Sequence, residues 1–501
     1  MTLSSLSPTE AAQSLFTNST ILAPMVRAST TPLRTLALHH GATLTYTEEL
    51  IDRSIFPAER IVNSELGTID YRVPIAHYPA KVQRRMMADG DNPDLCAGAV
   101  LLRIDPVLER DRLIYQVGTG EAGLAMQAVE RVVRDVAGVD VNMGCPKKFS
   151  VGGGMGSALL SDPKRACDII STLRRNISKP VSAKIRLLHP TDPRPTLDFV
   201  RSLINAGANA ITIHGRIVGD ESQTNARWDT LVEVVKHLKA TESGVPIIVN
   251  GDLYTHADIR EMRRRTGCDG VMLARPALYN MGLFRNNEEK AEGVKNEDEG
   301  GPNHHEEEEE KEEIPLSHFQ TSNHSGYYGY TSPLLMSRTT MIQEYIANCV
   351  RYRTHSKNAK YVVCEMINAR RAPTSRVPFL DMKLDGGQTI ASVCQCRSLE
   401  DLVKLWDVRW TIPLPSAAAS TDGNESSVKV QGSSIAQVAD GMGDLHNYDD
   451  RYFLDPEQFH KERSNTACEM DAKKEVGDVS DEKKTEEEGG DSLPATKRPK
   501  L

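Results

Sequence analysis

The sequence predicts an α/β protein: a TIM (β/α)8 barrel followed by a small all-α helical domain. Three observations point there. Eight short apolar runs within residues 19–275 alternate with segments of helical period. Nearly every run ends in a polar residue. Beyond an acidic stretch at 286–313, a second region at 333–409 has helical spacing alone. Strands alternating with helices imply a parallel sheet, and eight such units over roughly 250 residues is the size of a barrel. An open doubly wound sheet is the alternative, but it would not put polar side chains at so many strand ends.

In chain order, the run 20–23 ends at Pro24-Met25, 42–46 at Thr47-Glu48-Glu49, and 113–115 at Gln116. The run 139–141 ends at Asn142 and Cys145, and 181–183 at Lys184 and Arg186. The last three, 210–213, 247–249 and 270–273, end at His214-Gly215-Arg216, Asn250-Gly251-Asp252 and Ala274-Arg275. Helices are expected at 30–39, 121–135, 162–175, 195–206, 227–239 and 256–265. The stretch 53–112 breaks the alternation, and its apolar run at 97–103 suggests an extra hairpin. In the second region, 341–350, 360–366 and 399–406 have helical spacing.

The expected organisation is a catalytic barrel at 1–285, a disordered acidic linker at 286–315, a helical domain at 316–410 and a disordered tail at 411–501. The 501-residue chain is 39% hydrophobic, a little below a typical globular domain, which fits unpacked segments. The net charge of −9 is concentrated in the acidic stretches, so it does not argue against a nucleic-acid partner. The nine cysteines show no paired framework, and Cys394-x-Cys396 alone is a weak metal signal. A reduced, cytoplasmic protein is expected, with no signal peptide and no apolar run near the length of a membrane span. The terminal Lys497-Arg498-Pro499-Lys500 reads equally as a nuclear address and as a solvated tail.

In a barrel, the carboxyl ends of the strands build the active site. Cys145 sits there between Gly144 and Pro146, ahead of the glycine cluster at 152–156. A thiol so placed can donate a proton, attack a carbon or bind a metal. Asn250-Gly251-Asp252 and Ala274-Arg275 lie where such barrels commonly hold phosphate. Gln116, Lys184 and His214 suit the polar edge of a flat ring, and Pro24 with Met25 an apolar wall. There is no Gly-x-Gly-x-x-Gly after a first strand and no metal-ligand spacing. Taken singly, each residue also has a plain reading as a solvated cap or, for cysteine, a small buried hydrophobe. Cys167 and Cys268 read as structural, and His304 and His305 as solvated linker.

Four motifs resemble the tRNA-dihydrouridine synthases: Ile21-Leu22-Ala23-Pro24-Met25-Val26, Thr47-Glu48-Glu49-Leu50-Ile51-Asp52, Asp140 to Lys147, and Gly153 to Leu160. The Met143-Gly144-Cys145-Pro146-Lys147 form is most similar to the eukaryotic branch acting on uridine 20 of the D-loop. The likeness spans roughly residues 15–285, with a weaker one over 333–409 to the family's helical tRNA-binding domain. It implies an FMN-dependent reductase of tRNA uridine, using NADPH or NADH and acting as a monomer. By motif position Pro24, Met25 and Val26 would line the FMN, Gln116, Lys184 and His214 would contact its ring, and Asn250, Gly251, Asp252, Ala274 and Arg275 would hold its phosphate end. Cys145 matches the family's proton donor.

In the helical domain Arg351, Arg353, Lys357, Lys360, Arg370 and Arg371 surround Tyr345, Tyr352 and Tyr361, a pattern suited to RNA. For any one of these residues a solvated helix face with core tyrosines weighs as much. Residues 411–501 lack the pattern of a double-stranded-RNA-binding domain. Two rivals remain: a small-molecule dihydropyrimidine or dihydroorotate oxidoreductase, which would not need the basic domain, and a scaffold with an inactive barrel, which would carry no flavin absorbance.

Overall fold

In the computed structural model of the chain, residues 3–78, 80, 83–84, 99–221, 223–242, 244–285, 334–368 and 387–408 are described. The expected linker 286–315 and the tail 411–501 lie outside these residues, as do His304, His305, Arg370 and Arg371.

Eight parallel strands close into a ring: β1 Ser19–Leu22, β2 Leu44–Tyr46, β7 Leu113–Gly118, β8 Gly138–Asn142, β9 Val181–Arg186, β10 Ala210–His214, β11 Ile247–Asn250 and β12 Gly270–Leu273. Each pairs with the next, β2 with β7 through Thr45 and Leu113, and β12 returns to β1 with Ser19 opposite Gly270. All eight predicted strands are present, several running one to three residues further toward the mouth. The cause is composition. Strands such as Ile247–Asn250 are buried along their whole length, and a strand covered on both faces reads as a continuous Val/Ile run rather than an alternating one.

The long interruption folds as a three-stranded antiparallel sheet. It consists of β4 Glu59–Asn63, β5 Thr68–Val73 and β6 Ala99–Ile104, with β5 in the centre. A two-residue strand, β3 Leu50–Ile51, also joins the edge of β7. The two-residue β3 is too short to show a hydrophobic period, whereas the helix Pro8–Phe16 has one in Ala11, Ala12, Leu15 and Phe16 to which sequence reasoning assigns no element. That helix has a capping box between Ser7 and Glu10 and a proline at its first turn. It closes the amino end of the barrel, where Ala12, Leu15 and Phe16 pack with Leu44, Tyr46, Ile114, Ala210, Ile248 and Met272.

The helical region holds Arg338–Arg351, Ser356–Ile367, Ile390–Gln395 and Leu399–Leu405. Its first helix packs on the barrel helix Thr31–His39. Asn348 Nδ2 donates to Pro32 O at 3.1 Å, and His40 Nε2 lies 2.6 Å from Glu344 Oε2. Of the tyrosines and basic residues read from the sequence, several face the protein, while Lys357 is exposed and Tyr361 half-buried. Tyr345 and Tyr352 are buried, and the Tyr352 hydroxyl donates to Asp105 Oδ2 of the barrel at 2.7 Å. Arg351 pairs with Asp105 at 3.3 Å, Arg353 with Glu65, and Lys360 Nζ donates to Cys396 O at 2.8 Å. These cations meet carboxylates or carbonyls of the protein because the interface offers them.

Candidate active site

The mouth is built from loops that leave the strands while still hydrogen-bonded. At the end of β8, Asn142 Oδ1 accepts from the backbone N–H of Gly144 at 3.0 Å and of Cys145 at 3.2 Å. This local turn lifts Cys145 off the strand. Ser157 N–H donates to Cys145 O at 3.0 Å, folding the glycine segment back onto the cysteine. Cys145 is left half-buried. Burial pushes its thiol up to about 11, with the neighbouring Glu49 carboxylate adding to the rise. That outcome favours a protonated thiol over a nucleophilic thiolate or a metal ligand. Among the described residues, no group of three or more His, Cys, Asp or Glu side chains is arranged for a metal.

Lys184 and Arg186 alternate at the end of β9. Burial pushes the Lys184 ammonium down to about 8, and the Arg186 charge acts in the same direction. Arg186 Nε donates to Gly144 O at 2.7 Å, tying the cysteine loop to the next strand. His214, ending β10, is held well below the ordinary imidazole range, first by burial and then by Lys184, Arg186, Arg216 and Arg275. It is neutral at pH 7. Gln116 is buried, and its Nε2 donates to Asp140 Oδ2 at 2.8 Å. Burial lifts Asp140 to about 6 against the hydrogen bonds of Ser182 and Gln116.

His214, Asn250, Gly251, Asp252, Ala274 and Arg275 line one pocket together with Arg216, Met272 and Tyr254. Six of the residues read from the sequence are therefore brought together. Their roles separate. Asn250 Nδ2 donates to Met272 O at 2.7 Å, fixing the strand end. Gly251 has φ +135°, and a Cβ there would meet Ala226 Cβ at 2.9 Å, so only glycine fits. Asp252 takes both oxygens to Arg216 NH2, at 2.7 and 2.9 Å, and one to Arg275 at 3.4 Å. Its carboxylate orients two guanidiniums, so any contact with a phosphate falls to its backbone. Two arginines against one carboxylate leave the pocket net positive, which suits a phosphate group. Pro24 and Met25 are half-buried and Val26 is 39% exposed at the end of β1. Cys167 donates to Ser202 O at 3.4 Å and Cys268 is buried, both as structural members.

Sequence reasoning assigns no role to Arg216, Arg186 or Glu49. For the two arginines a signal exists in the spacing: Lys184-x-Arg186 and His214-x-Arg216 put two basic residues on one side of a strand end. Glu49 has no such local mark.

Two guanidiniums against one carboxylate at a barrel mouth make a pocket suited to a phosphate-bearing ligand. Residues 21–310 match the family model described as Dihydrouridine synthase (Dus), and the chain belongs to that family. It is 36% identical over 277 residues to the tRNA-dihydrouridine(20) synthase of Schizosaccharomyces pombe, covering 54% of this chain and 52% of that one. The chain thus spans about half the length of that relative. It is 36% identical over 280 residues to the protein of the same name from Saccharomyces cerevisiae, covering 54% and 67% of the two. A tRNA-dihydrouridine(20a/20b) synthase-like protein of Homo sapiens is 27% identical over 272 residues, covering 54% and 71%.

Proposed function

We propose that this chain reduces a uridine of tRNA, at position 20 of the D-loop, to 5,6-dihydrouridine, with FMN as cofactor and NADPH or NADH as reductant. The observation that carries this reading is a half-buried thiol, Cys145, held by Asn142 and Ser157 at the mouth of a barrel whose Arg216 and Arg275 line a pocket suited to phosphate. FMN, when bound, supplies the hydride that reaches C6 of the uracil. Arg216 and Arg275 would hold its phosphate, with the Gly251 backbone approaching closely. Lys184 would stand beside the ring's polar edge and favour negative charge there. Neutral His214 would donate or accept a hydrogen bond without adding charge.

Cys145 protonates C5 as general acid. Its S–H bond breaks, a C5–H bond forms, and sulfur keeps the electron pair until water restores the proton. The base must leave its stack to reach this depth, which costs a few kcal/mol and is cheapest in a loop. The relatives whose names carry uridine 20 and NAD(P)+ support the substrate and reductant. A monomer in the cytoplasm, with some nuclear import through Lys497 to Lys500, completes the proposal. No helix among the described residues is long and apolar enough to cross a membrane.

The test is to map dihydrouridine in tRNA from cells lacking the protein. Loss at position 20, restored by the chain and not by Cys145→Ala, is expected. An unchanged map would overturn the reading, and tRNA-independent turnover of free dihydropyrimidines would replace it.

A further inference from the structure

Glu49 has no part in the function described so far, yet it sits against the thiol that performs it. It leaves the end of β2, next to β3, and is 8% exposed. Its carboxylate is wedged on two sides. A Cβ at Gly118 would meet Oε1 at 2.6 Å, so the glycine makes room for it. Ser150, five residues after Cys145, donates its hydroxyl to Oε1 at 3.3 Å. The other oxygen, Oε2, is buried with no hydrogen-bond partner in the structure. A carboxylate kept only for stability would have both oxygens satisfied, since an unmet buried acceptor costs free energy. Burial raises the Glu49 carboxyl above its ordinary value, while the Cys145 thiol, Asn142 and Ser150 beside it favour its charged form.

Cys145 is faced from three elements. Lys184 and Arg186 of β9 bear positive charge toward it. Ser150 and the backbone of Lys147 come from its own loop. Glu49 comes from the end of β2, across Gly118 of the intervening β7. Two cations beside a thiol pull it toward thiolate. A thiolate cannot protonate C5. Burial opposes the two cations first, and Glu49, the acidic side chain beside the thiol, opposes them further.

We propose that Glu49 is the positioning residue for Cys145: its carboxylate, seated between Gly118 and Ser150, offsets Lys184 and Arg186 and keeps the thiol protonated and aimed at the pyrimidine. This deepens the proposed function and rests on it for the role of the proton. The coupling between the two side chains is independent of that role. Glu49 acts on the reaction through the Cys145 sulfur.

The experiment uses the full-length protein with its flavin and no tRNA. Iodoacetamide labelling of the Cys145 peptide is followed by mass spectrometry across pH, which separates it from the other cysteines. In wild type the labelling midpoint should lie above the ordinary thiol value of about 8.5. In Glu49→Gln the midpoint should fall, and each drop of one pH unit raises the labelling rate at pH 8 about tenfold. Glu49→Asp, which keeps the charge on a shorter arm, should lie between. Turnover in Glu49→Gln should drop in kcat while the KM for tRNA and the flavin spectrum stay put.

Equal midpoints in wild type and Glu49→Gln would overturn the proposal, as would Gln and Asp variants that behave alike. If Glu49→Gln does not fold, wild type still decides: a midpoint at or below the ordinary value overturns it. A Glu49-dependent midpoint in a protein that makes no dihydrouridine would leave the coupling standing and sink the functional reading. Dihydrouridine formation with a Glu49-independent midpoint would do the reverse.

Discussion

In the proposed reaction Cys145 and Lys184 would divide the work by their protonation states. The thiol is useful as an acid only while it holds its proton, and burial with Glu49 keeps it there up to about 11. Lys184 is useful only while charged, and burial brings its ammonium down to about 8. As pH rises, Lys184 therefore loses its proton first. The alkaline limb of the activity profile should follow Lys184, with kcat/KM falling above about pH 8. Lys184→Arg, which stays charged, should retain some activity and lose that limb; a limb that stays near 8 in the variant would assign it elsewhere. Cys145→Ala should keep the yellow flavin spectrum and lose turnover by about 10²-fold or more. The same thiol also bears on stability. Its folded pKa exceeds the unfolded value of about 8.5, so its contribution is full below that value and is lost as pH rises through about 11. Stability should thus decline between those limits, visible as a falling Tm in alkaline melts.

At the level of elements, the barrel was legible because its strands are buried Val/Ile runs with polar ends, and both signals survive without an alignment. The polar ends also pointed to the pocket: His214, Asn250, Gly251 and Arg275 meet there. Two kinds of information were not legible. One is how far a strand runs: β7 continues to Gly118, so Gln116 lies within the strand and bonds Asp140. The other is cross-strand company. Glu49 and Cys145 are 96 residues apart in sequence and meet only because β2, β7 and β8 are neighbours in the ring. The tyrosines of the helical region were read both ways, since a basic residue beside an aromatic looks alike whether it faces RNA or a carboxylate of the same chain; Tyr345 and Tyr352 prove buried.

The loop after β8 carries its own test. Gly156 has φ +58°, and a Cβ there would meet Cys145 O at 2.7 Å and collide with the Ser150 hydroxyl. Gly156→Ala should displace the segment that holds both Cys145 and the Ser150–Glu49 contact. The strain is on the order of 1–3 kcal/mol, borne by a loop and not by the barrel. Expected is a large loss of kcat, a small loss of Tm and normal flavin binding. An unaltered kcat would show that the loop does not position the thiol.

On the scale of the whole molecule, the helical region is tied to the barrel by a set of buried polar contacts centred on Asp105. That carboxylate accepts from the Tyr352 hydroxyl and pairs with Arg351, while its other oxygen caps Val107 and Leu108 N–H. Arg103 of β6 donates to Tyr352 O, and its other nitrogens hold Asp70 in the same sheet. The inserted three-stranded sheet is thus the bracket between the two parts. At a second point of contact, Arg27 follows the apolar wall of Pro24 to Val26 and lies 4.3 Å from the Tyr361 ring centroid. A tRNA gripped by the helices would therefore be presented to the mouth at a fixed angle rather than on a swinging arm. Tyr352→Phe removes one buried hydrogen bond to a charged group, a cost of about 1.5–3 kcal/mol. Tm should fall by a few degrees. If the angle matters, the KM for tRNA should also rise several-fold while the flavin spectrum and reduction by NADPH without tRNA stay as in wild type. A lower Tm with an unchanged KM would mean that the bracket stabilises the chain without setting how the substrate is presented.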